Sequence, residues 1–382
     1  MSRLIDRRLA AEAFAWADSL ALPADTVALP LAGASGRILA RDIVAPHDLP
    51  GQRMAATDGF AVRSADTVGA GDYCPQYLNL RPPGQRLNAA EAIAVSNGES
   101  LPEGADAVLP LELAENSGPS LEVVNALVAG DWVAETGEQG RAGELLLAAG
   151  RCLRPQDLAL LAWCGMEAVP TWRQPVVKIL LAGHYEREVD GLMLASLVAR
   201  DGGQLGETRR VADRSSLIDA LRCPAADLIL VAGATGEAAT DHAVAGLEEA
   251  GRLVMHRVAI HPGGNVALGQ AGAAAVLLLP GTPLACFAAY DLLGARVLRR
   301  LARLPGVLPY KSCKLPLASK LTSSIGRLDL CRVRLQEGRV HPLAVTDERK
   351  LTTVVKADGF VVVPETSEGY GRGCEVLVYL YD

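Results

Sequence analysis

A chain of 382 residues, half of them hydrophobic and 21% charged, has the balance of a soluble globular protein with room for about two to three domains. Its formal net charge of −7 argues against nucleic acid as the main partner, because that binding rests on clustered Lys and Arg neutralising phosphates. Anionic small molecules stay open, since a local set of donors outweighs a distant net charge.

The eight cysteines at 74, 152, 164, 223, 286, 313, 331 and 374 form no C-x-x-C pair and have no His at ligand spacing. They read as reduced, mostly buried thiols in a cytoplasmic chain. The opening stretch MSRLIDRRLAAEAFAW mixes acids and bases into its first apolar run, so it does not read as a signal peptide. Leu9, Ala13, Trp16 and Leu20 share one face at helical spacing, which predicts a packing helix that ends before Pro23.

Residues 27–44 lead through Gly33 and Gly36 to a turn at 46–50, and Asp58-Gly59 then feeds the alternating Phe60-Ala-Val62. Taken alone, Asp58 reads as a turn former, as most Asp-Gly pairs do. Short apolar runs at 92–95, 107–109 and 121–124 among many turns predict a small β-rich domain. Its loop Ser96-Asn-Gly-Glu-Ser-Leu-Pro-Glu-Gly-Ala-Asp106 is polar enough to face a cleft. A glycine-punctuated connection at 137–150 follows, then a helix over 154–163 with Pro155 in its first turn.

From 175 the pattern becomes α/β. A strand and turn at 175–183 precede a helix at 190–199, and 227–232 is a nearly unbroken apolar run, as in a strand buried on both faces. Gly233 and Gly236, with small residues between them, keep Cβ atoms away from the backbone, so N–H groups can approach an anion. Thr240 and Asp241 are expected to open the next helix and Gly251 to close it. Ligands of open α/β sheets sit beyond the carboxyl ends of strands, which makes this turn the first candidate site; the alternative is a tight loop and N-cap holding nothing.

Further strands are predicted at 252–260 and 275–279, and a helix at 284–300. The uncharged run 271–290 is long enough to span a bilayer, but Pro280-Gly-Thr-Pro283 breaks any spanning helix. The alternation predicts a doubly wound α/β sheet, and the alternating segments 328–335 and 359–364 predict a small barrel-like β tail. His184, His242, His256 and His261 lack the i, i+4 spacing of a helical metal site and read as hydrogen-bonded rather than zinc-bound. No G-x-G-x-x-G opens a helix and no G-x-S-x-G occurs, so neither a dinucleotide-dependent dehydrogenase nor a nucleophile-elbow hydrolase is indicated.

Taken in order, Asp58-Gly-Phe-Ala-Val-Arg63, Asn97-Gly-Glu-Ser-Leu-Pro-Glu-Gly-Ala-Asp-Ala-Val108, the α/β block, Leu279-Pro-Gly281 and Gly326-Arg-Leu-Asp329 resemble the molybdopterin molybdenumtransferase family, bacterial MoeA and the gephyrin E domain, over nearly the whole chain. The resemblance implies four domains: I at 1–45 and 137–174, helical and linking; II at 46–136, β-rich; III at 175–305, α/β and molybdopterin-binding; IV at 306–382, β. It also implies a cytoplasmic homodimer that cleaves the phosphoanhydride of adenylylated molybdopterin with Mg2+ and inserts molybdate. The cleft would lie between the α/β domain and a partner's tail. A molybdoenzyme or another cofactor-biosynthesis protein is the implied macromolecular partner, with no nucleic acid and no membrane.

Carried over by motif, Asp58 and Asp241 are the expected catalytic pair, and Asp241 and Glu186 the expected metal ligands. The expected substrate contacts are Asn97, Gly183, Gly233, Thr235, Gly236, His261, Gly281, Thr282, Arg327 and Arg349. Departures from the family pattern are concentrated here. Gly-Asp-Glu-Leu is replaced by Gly183-His-Tyr-Glu186, leaving Glu186 or Glu188 as stand-ins, and Glu237 enters the glycine loop. Lys-Pro-Gly-Lys-Pro becomes His261-Pro-Gly-Gly264-Asn265, losing both lysines, and a molybdate-side hydroxyl falls at Glu348 near Lys350 and Lys356. Two further readings therefore stand beside the enzyme: a paralogue that carries molybdopterin or finished cofactor without chemistry, and a dimeric scaffold.

Overall fold

The computed structural model describes residues 7–182, 189–236, 241–343 and 350–381. The chain divides into two compact units, one of residues 1–28, 36–38 and 170–382, the other of residues 29–35 and 39–169.

The larger unit is built on a six-stranded sheet in the order Gln204–Arg210, Val176–Leu181, Leu228–Ala232, Ala274–Leu279, Ala267–Ala271, Arg252–His256. Neighbours from Gln204–Arg210 through Ala274–Leu279 are parallel, and the last two pairings are antiparallel. The apolar runs are explained by burial on both faces. Val177, Ile179, Leu228, Leu230 and Leu277 point to a core shared with the helices Ala10–Asp18, Val189–Arg200, Pro283–Ala289 and Ala295–Leu301. Leu180, Ile229, Val231, Val276 and Leu278 point to the opposite core, beneath the helices Arg214–Arg222 and Ala243–Ala250. Gln204–Arg210 has no apolar alternation because it is an edge strand whose seven residues are all exposed.

Several sequence expectations need correction, among them that of mostly buried thiols, since Cys74, Cys152, Cys223 and Cys374 are exposed and only Cys164, Cys286 and Cys331 are buried. Leu9 lies outside the buried face of the first helix, which consists of Ala10, Ala13 and Ala17 followed by Leu20. Arg252 to Ile260 is not one strand, because at Arg257, with φ of +62°, the chain leaves the sheet after His256 and forms a separate strand Ile260–His261. The helix after the glycine loop begins at Ala243, so Asp241 precedes it instead of opening it. The expected helix at 284–300 carries a π-helical turn, Tyr290–Gly294. A Cβ at Gly294 would lie 2.7 Å from the Tyr290 ring, so glycine is what lets that turn close.

The tail is a half-barrel of strands in the order Ile260–His261, Leu328–Gln336, Gly359–Val363, Glu375–Leu380, Ser312–Pro316, with Arg339–Pro342 alongside Leu328–Gln336. Cys331, Val333, Val361, Val363, Val376 and Val378 fill it. A buried polar network ties the α/β sheet's helices to the start of the tail. Arg200 donates to Asp201 at 2.7 Å and to Asp291 at 2.9 Å, while Tyr310 donates to Asp291 at 2.7 Å and Tyr290 to Asp201 at 3.1 Å. Burial pushes the Asp291 carboxyl up to about 6 against the pull of Arg200.

The smaller unit holds a six-stranded sheet, in the order Ala107–Pro110, Gly59–Val62, Glu91–Val95, Gln76–Arg81, Ser120–Val123, Ala114–Ser117. Its helix Pro155–Trp163 starts where Pro155 predicts. Asp157 is only 4% exposed; it accepts from the Arg154 backbone N–H and from the guanidinium groups of Arg151 and Arg154. Those bonds hold its carboxyl well below the usual range. Among the described residues no helix is long and apolar enough to cross a membrane.

Among the described residues, replacing Arg200 by Leu leaves Asp291, 0% exposed at the side chain, with only the Tyr310 hydroxyl and no cation, while Asp201 keeps Tyr290 and Arg299; it is expected to cost about 3–5 kcal/mol in urea unfolding, and adding Asp291→Leu should recover part of the loss. Asp157→Asn is expected to cost about 1–2 kcal/mol at neutral pH by removing charge-assisted bonds to half-exposed arginines. Because the folded pKa of Asp157 is depressed, its contribution is present above the unfolded value near 4 and is lost as pH falls toward the folded one. Unfolding followed by circular dichroism should therefore show a smaller acid-induced loss of stability in Asp157→Asn than in the wild type.

Candidate functional site

The strands Leu228–Ala232 and Ala274–Leu279 run side by side and parallel, so the loops beyond their carboxyl ends emerge together. Gly233 donates its N–H to Leu279 O at 3.0 Å. A Cβ at Gly281 would lie 3.2 Å from the Gly233 Cα, so glycine at 281 lets the two loops pass close together without crowding. Gly233 itself has φ of +99°, in the region that favours glycine. At Gly236 a Cβ would come within 2.5 Å of Asp241 Oδ2, so that glycine leaves room for the carboxylate to fold back over the loop. Thr235, in the same loop, is only 3% exposed and borders the cavity.

The third wall is made by His261 and the turn at Gly263-Gly264. Gly263 has φ of +100°, and a Cβ there would lie 2.8 Å from Ala285 O. The fourth wall comes from the tail through backbone pairing, Ile260 with Leu328 and His261 with Asp329 in parallel register, so Arg327 sits at the same rim. Behind Arg327 and His261 lies Asp329, whose side chain is 0% exposed. Its Oδ1 is 2.9 Å from Arg327 Nε and 3.3 Å from His261 Nδ1, and its Oδ2 accepts from the Ser323 hydroxyl. Burial pushes the Asp329 carboxyl up, but His261, Ser323 and the Arg327 charge outweigh that and hold it below the usual range.

These walls enclose a cavity of about 680 Å³ lined by Arg7, Gly233, Thr235, Gly236, Asp241, His261, Gly263, Gly264, Gly281, Thr282 and Arg327, among others. The volume suits a cofactor-sized ligand. Among the described residues the lining combines two guanidinium groups and several glycine turns with one carboxylate, a composition that can bind phosphate-type anions and hold a cation beside them.

Gly233, Thr235, Gly236, Asp241, His261, Gly281, Thr282 and Arg327 are thus brought to one cavity. The resemblance implied a cleft completed by the tail of a neighbouring subunit. Here Arg327 of the same chain reaches the cavity, because Ile260–His261 joins that chain's own tail sheet. Asp58 and Asn97 do not line this cavity; they meet each other in the smaller unit, where Asp58 Oδ1 accepts the Asn97 backbone N–H at 2.8 Å. Gly183, Glu186 and Arg349, and with them Glu188, Glu237, Thr240 and Glu348, lie outside the described residues.

Sequence reading missed Arg7, Ser323 and the part played by Asp329. Asp329 carried a signal, an acid two residues after Arg327 at the start of an apolar strand. Arg7 carried none, because its place depends on a contact with a segment some 250 residues away.

Comparison with known proteins bears on the family and the fold. The chain matches "MoeA N-terminal region (domain I and II)" over residues 9–165, "Probable molybdopterin binding domain" over 179–300, and "MoeA C-terminal region (domain IV)" over 314–381. It is 27% identical over 376 residues to a molybdopterin molybdenumtransferase of Bacillus subtilis, covering 90% of this chain and 87% of that one. It is 26% identical over 384 residues to molybdopterin molybdenumtransferase 2 of Mycobacterium tuberculosis, covering 92% and 94%. The crystal structure of the molybdopterin biosynthesis MoeA protein from Pyrococcus horikoshii matches with a TM-score of 0.78 at 27% identity, covering 98% of this chain and all of that one. Three matched regions in the family's order, relatives aligned over nearly their full length and a shared fold make this chain a member of the MoeA family of molybdopterin biosynthesis proteins.

Proposed function

We propose that this protein works in molybdenum cofactor biosynthesis by cleaving the phosphoanhydride of adenylylated molybdopterin and inserting molybdate into the pterin. The observation that carries the reading is the cavity at the carboxyl ends of Leu228–Ala232 and Ala274–Leu279, where glycine turns face Arg327 across a space of about 680 Å³. The turns at Gly233, Gly236 and Gly281 accept the phosphates, since a backbone without Cβ atoms can approach an anion closely. Thr235, Thr282 and His261 border the same space as further substrate contacts. Arg327 binds the molybdate oxyanion, and Asp329 fixes the guanidinium from behind.

Among the described residues no three His, Cys, Asp or Glu side chains gather as a metal cage, and the cavity's carboxylate is that of Asp241. That suits Mg2+, which is held by one or two carboxylates plus substrate phosphates; Asp241 is the described ligand, with Glu186 as the second by motif. Bound there, the ion would neutralise charge on the phosphate oxygens as the anhydride breaks. Asp58 and Asn97, together with Gly183 and Arg349, belong to the proposal by motif alone, as do the homodimer and a molybdoenzyme or biosynthetic partner. The carrier reading is favoured by one observation, the glycine at 264 where the resembled family has a lysine.

Purified protein incubated with adenylylated molybdopterin, Mg2+ and molybdate is expected to release AMP and form molybdenum cofactor. Binding of the pterin without AMP release would reject the enzyme and leave the carrier. Asp241→Asn should lower AMP release about tenfold or more. Arg327→Ala should raise the molybdate concentration for half-maximal cofactor formation about 10- to 100-fold, from the loss of a charge-assisted hydrogen bond of about 1.5–3 kcal/mol. Asp329→Asn should move it in the same direction by less, since it only loosens Arg327; an unchanged value would remove Asp329 from the positioning role.

A further inference from the structure

The lining of the cavity contains a cation that belongs to no motif of the α/β block or the tail. Arg7 stands just before the first helix, yet its side chain faces the pocket. It is held there by main-chain bonds on the next residue. Arg8 N–H donates to Arg257 O at 2.9 Å, Ala259 N–H donates to Arg8 O at 2.7 Å, and Arg8 bridges Val258 in parallel fashion. The helix that follows is fastened by Ala10, Ala13 and Ala17, all buried in the larger core. Arg7 is therefore the end of an anchored segment.

The Arg7 guanidinium carbon lies 3.9 Å from where a Cβ on Gly264 would project, beside the turn that closes the cavity. A Cβ on Gly264 would itself meet Ile260 O at 3.1 Å. Position 264 is thus cramped for a side chain, and the space such a side chain would reach is occupied by a guanidinium from elsewhere in the chain. The two arginines of the cavity differ in their neighbours. Arg327 shares its charge with Asp329 at 2.9 Å, whereas among the described residues no carboxylate pairs with Arg7. A guanidinium that lines a polar cavity and is paired with none of the described carboxylates offers its charge and its donor fork to an oxyanion.

We propose that Arg7 is an anion-binding residue of this cavity, contacting a phosphate-type oxyanion of the ligand and supplying in space the positive charge that Gly264 does not carry in sequence. The inference deepens the proposed function by naming the phosphate portion of the ligand as what Arg7 recognises, and it rests on that reading for the identity of the ligand, though not for its anionic chemistry.

Inorganic pyrophosphate, free of divalent metal, is the probe, titrated calorimetrically into the full-length protein. Arg7→Ala is expected to weaken its binding at least about tenfold and to flatten the dependence of affinity on salt, with an unchanged thermal midpoint because Arg7 is exposed and its neighbours' backbone bonds remain. Arg7→Lys and the double variant Arg7→Ala, Gly264→Lys should each recover part of the loss, since both return a cation to the same space. Affinity within twofold of wild type in Arg7→Ala overturns the proposal, as does no detectable binding to the wild type. A loss that neither lysine variant relieves also overturns it. If pyrophosphate binding depends on Arg7 but adenylylated molybdopterin yields no AMP, the enzymatic reading fails and the role of Arg7 stands. AMP release with the same KM in wild type and Arg7→Ala gives the reverse.

Discussion

The structure turns on a two-residue strand. Ile260–His261 leaves the α/β sheet after the left-handed turn at Arg257 and pairs in parallel with Leu328 and Asp329 at the start of the tail. The segment just before it, Val258 and Ala259, takes the backbone of Arg8 on its other side. Three parts of the chain that are distant in sequence are thereby held by main-chain hydrogen bonds within a few residues of one another. Those bonds carry no side-chain identity, yet they place His261, Arg327 and Arg7 around one cavity.

The chemistry of that cavity depends as much on absent atoms as on present ones. At Gly236 and Gly263 a Cβ would collide with the Asp241 carboxylate or with backbone, at Gly281 it would crowd the Gly233 Cα, and Gly233 itself has a left-handed backbone, so these glycines let turns and a carboxylate share a small volume. Against this bare backbone the charges are few and specifically held. Asp329, fully buried, would cost several kcal/mol as an unpaired carboxylate, but His261, Ser323 and Arg327 all point at it. In return the Arg327 guanidinium is pre-oriented, which reduces the entropy lost when an oxyanion arrives.

The departures from the family pattern look different in three dimensions. Read along the chain, losing lysines at His261 and Gly264 removes positive charge from an anion site. In space, His261 leans on Asp329, and the volume next to Gly264 holds the Arg7 guanidinium. Comparing motifs one by one treats charge as a property of positions, whereas the electrostatic potential of a cavity sums whatever side chains reach it.

Much of the architecture was legible from the amino acids. The apolar runs at 227–232 and 275–279 signalled strands, the first as one buried on both faces, Pro155 marked a helix start, and the ordered motifs identified the family over most of the chain. Local periodicity could not show the edge strand Gln204–Arg210, which has no buried face to pattern it, or the break at Arg257, where a non-glycine residue accepts a left-handed backbone because tertiary bonds hold it there. Sequence alone determined where the buried strands, the amphipathic helices and the glycine turns of the site fall, because backbone sterics and burial act over a few residues. Only the tertiary structure decided which charges face one another across the cavity, since Arg7, His261 and Arg327 are brought together by hydrogen bonds between segments whose spacing along the chain says nothing of their separation in space.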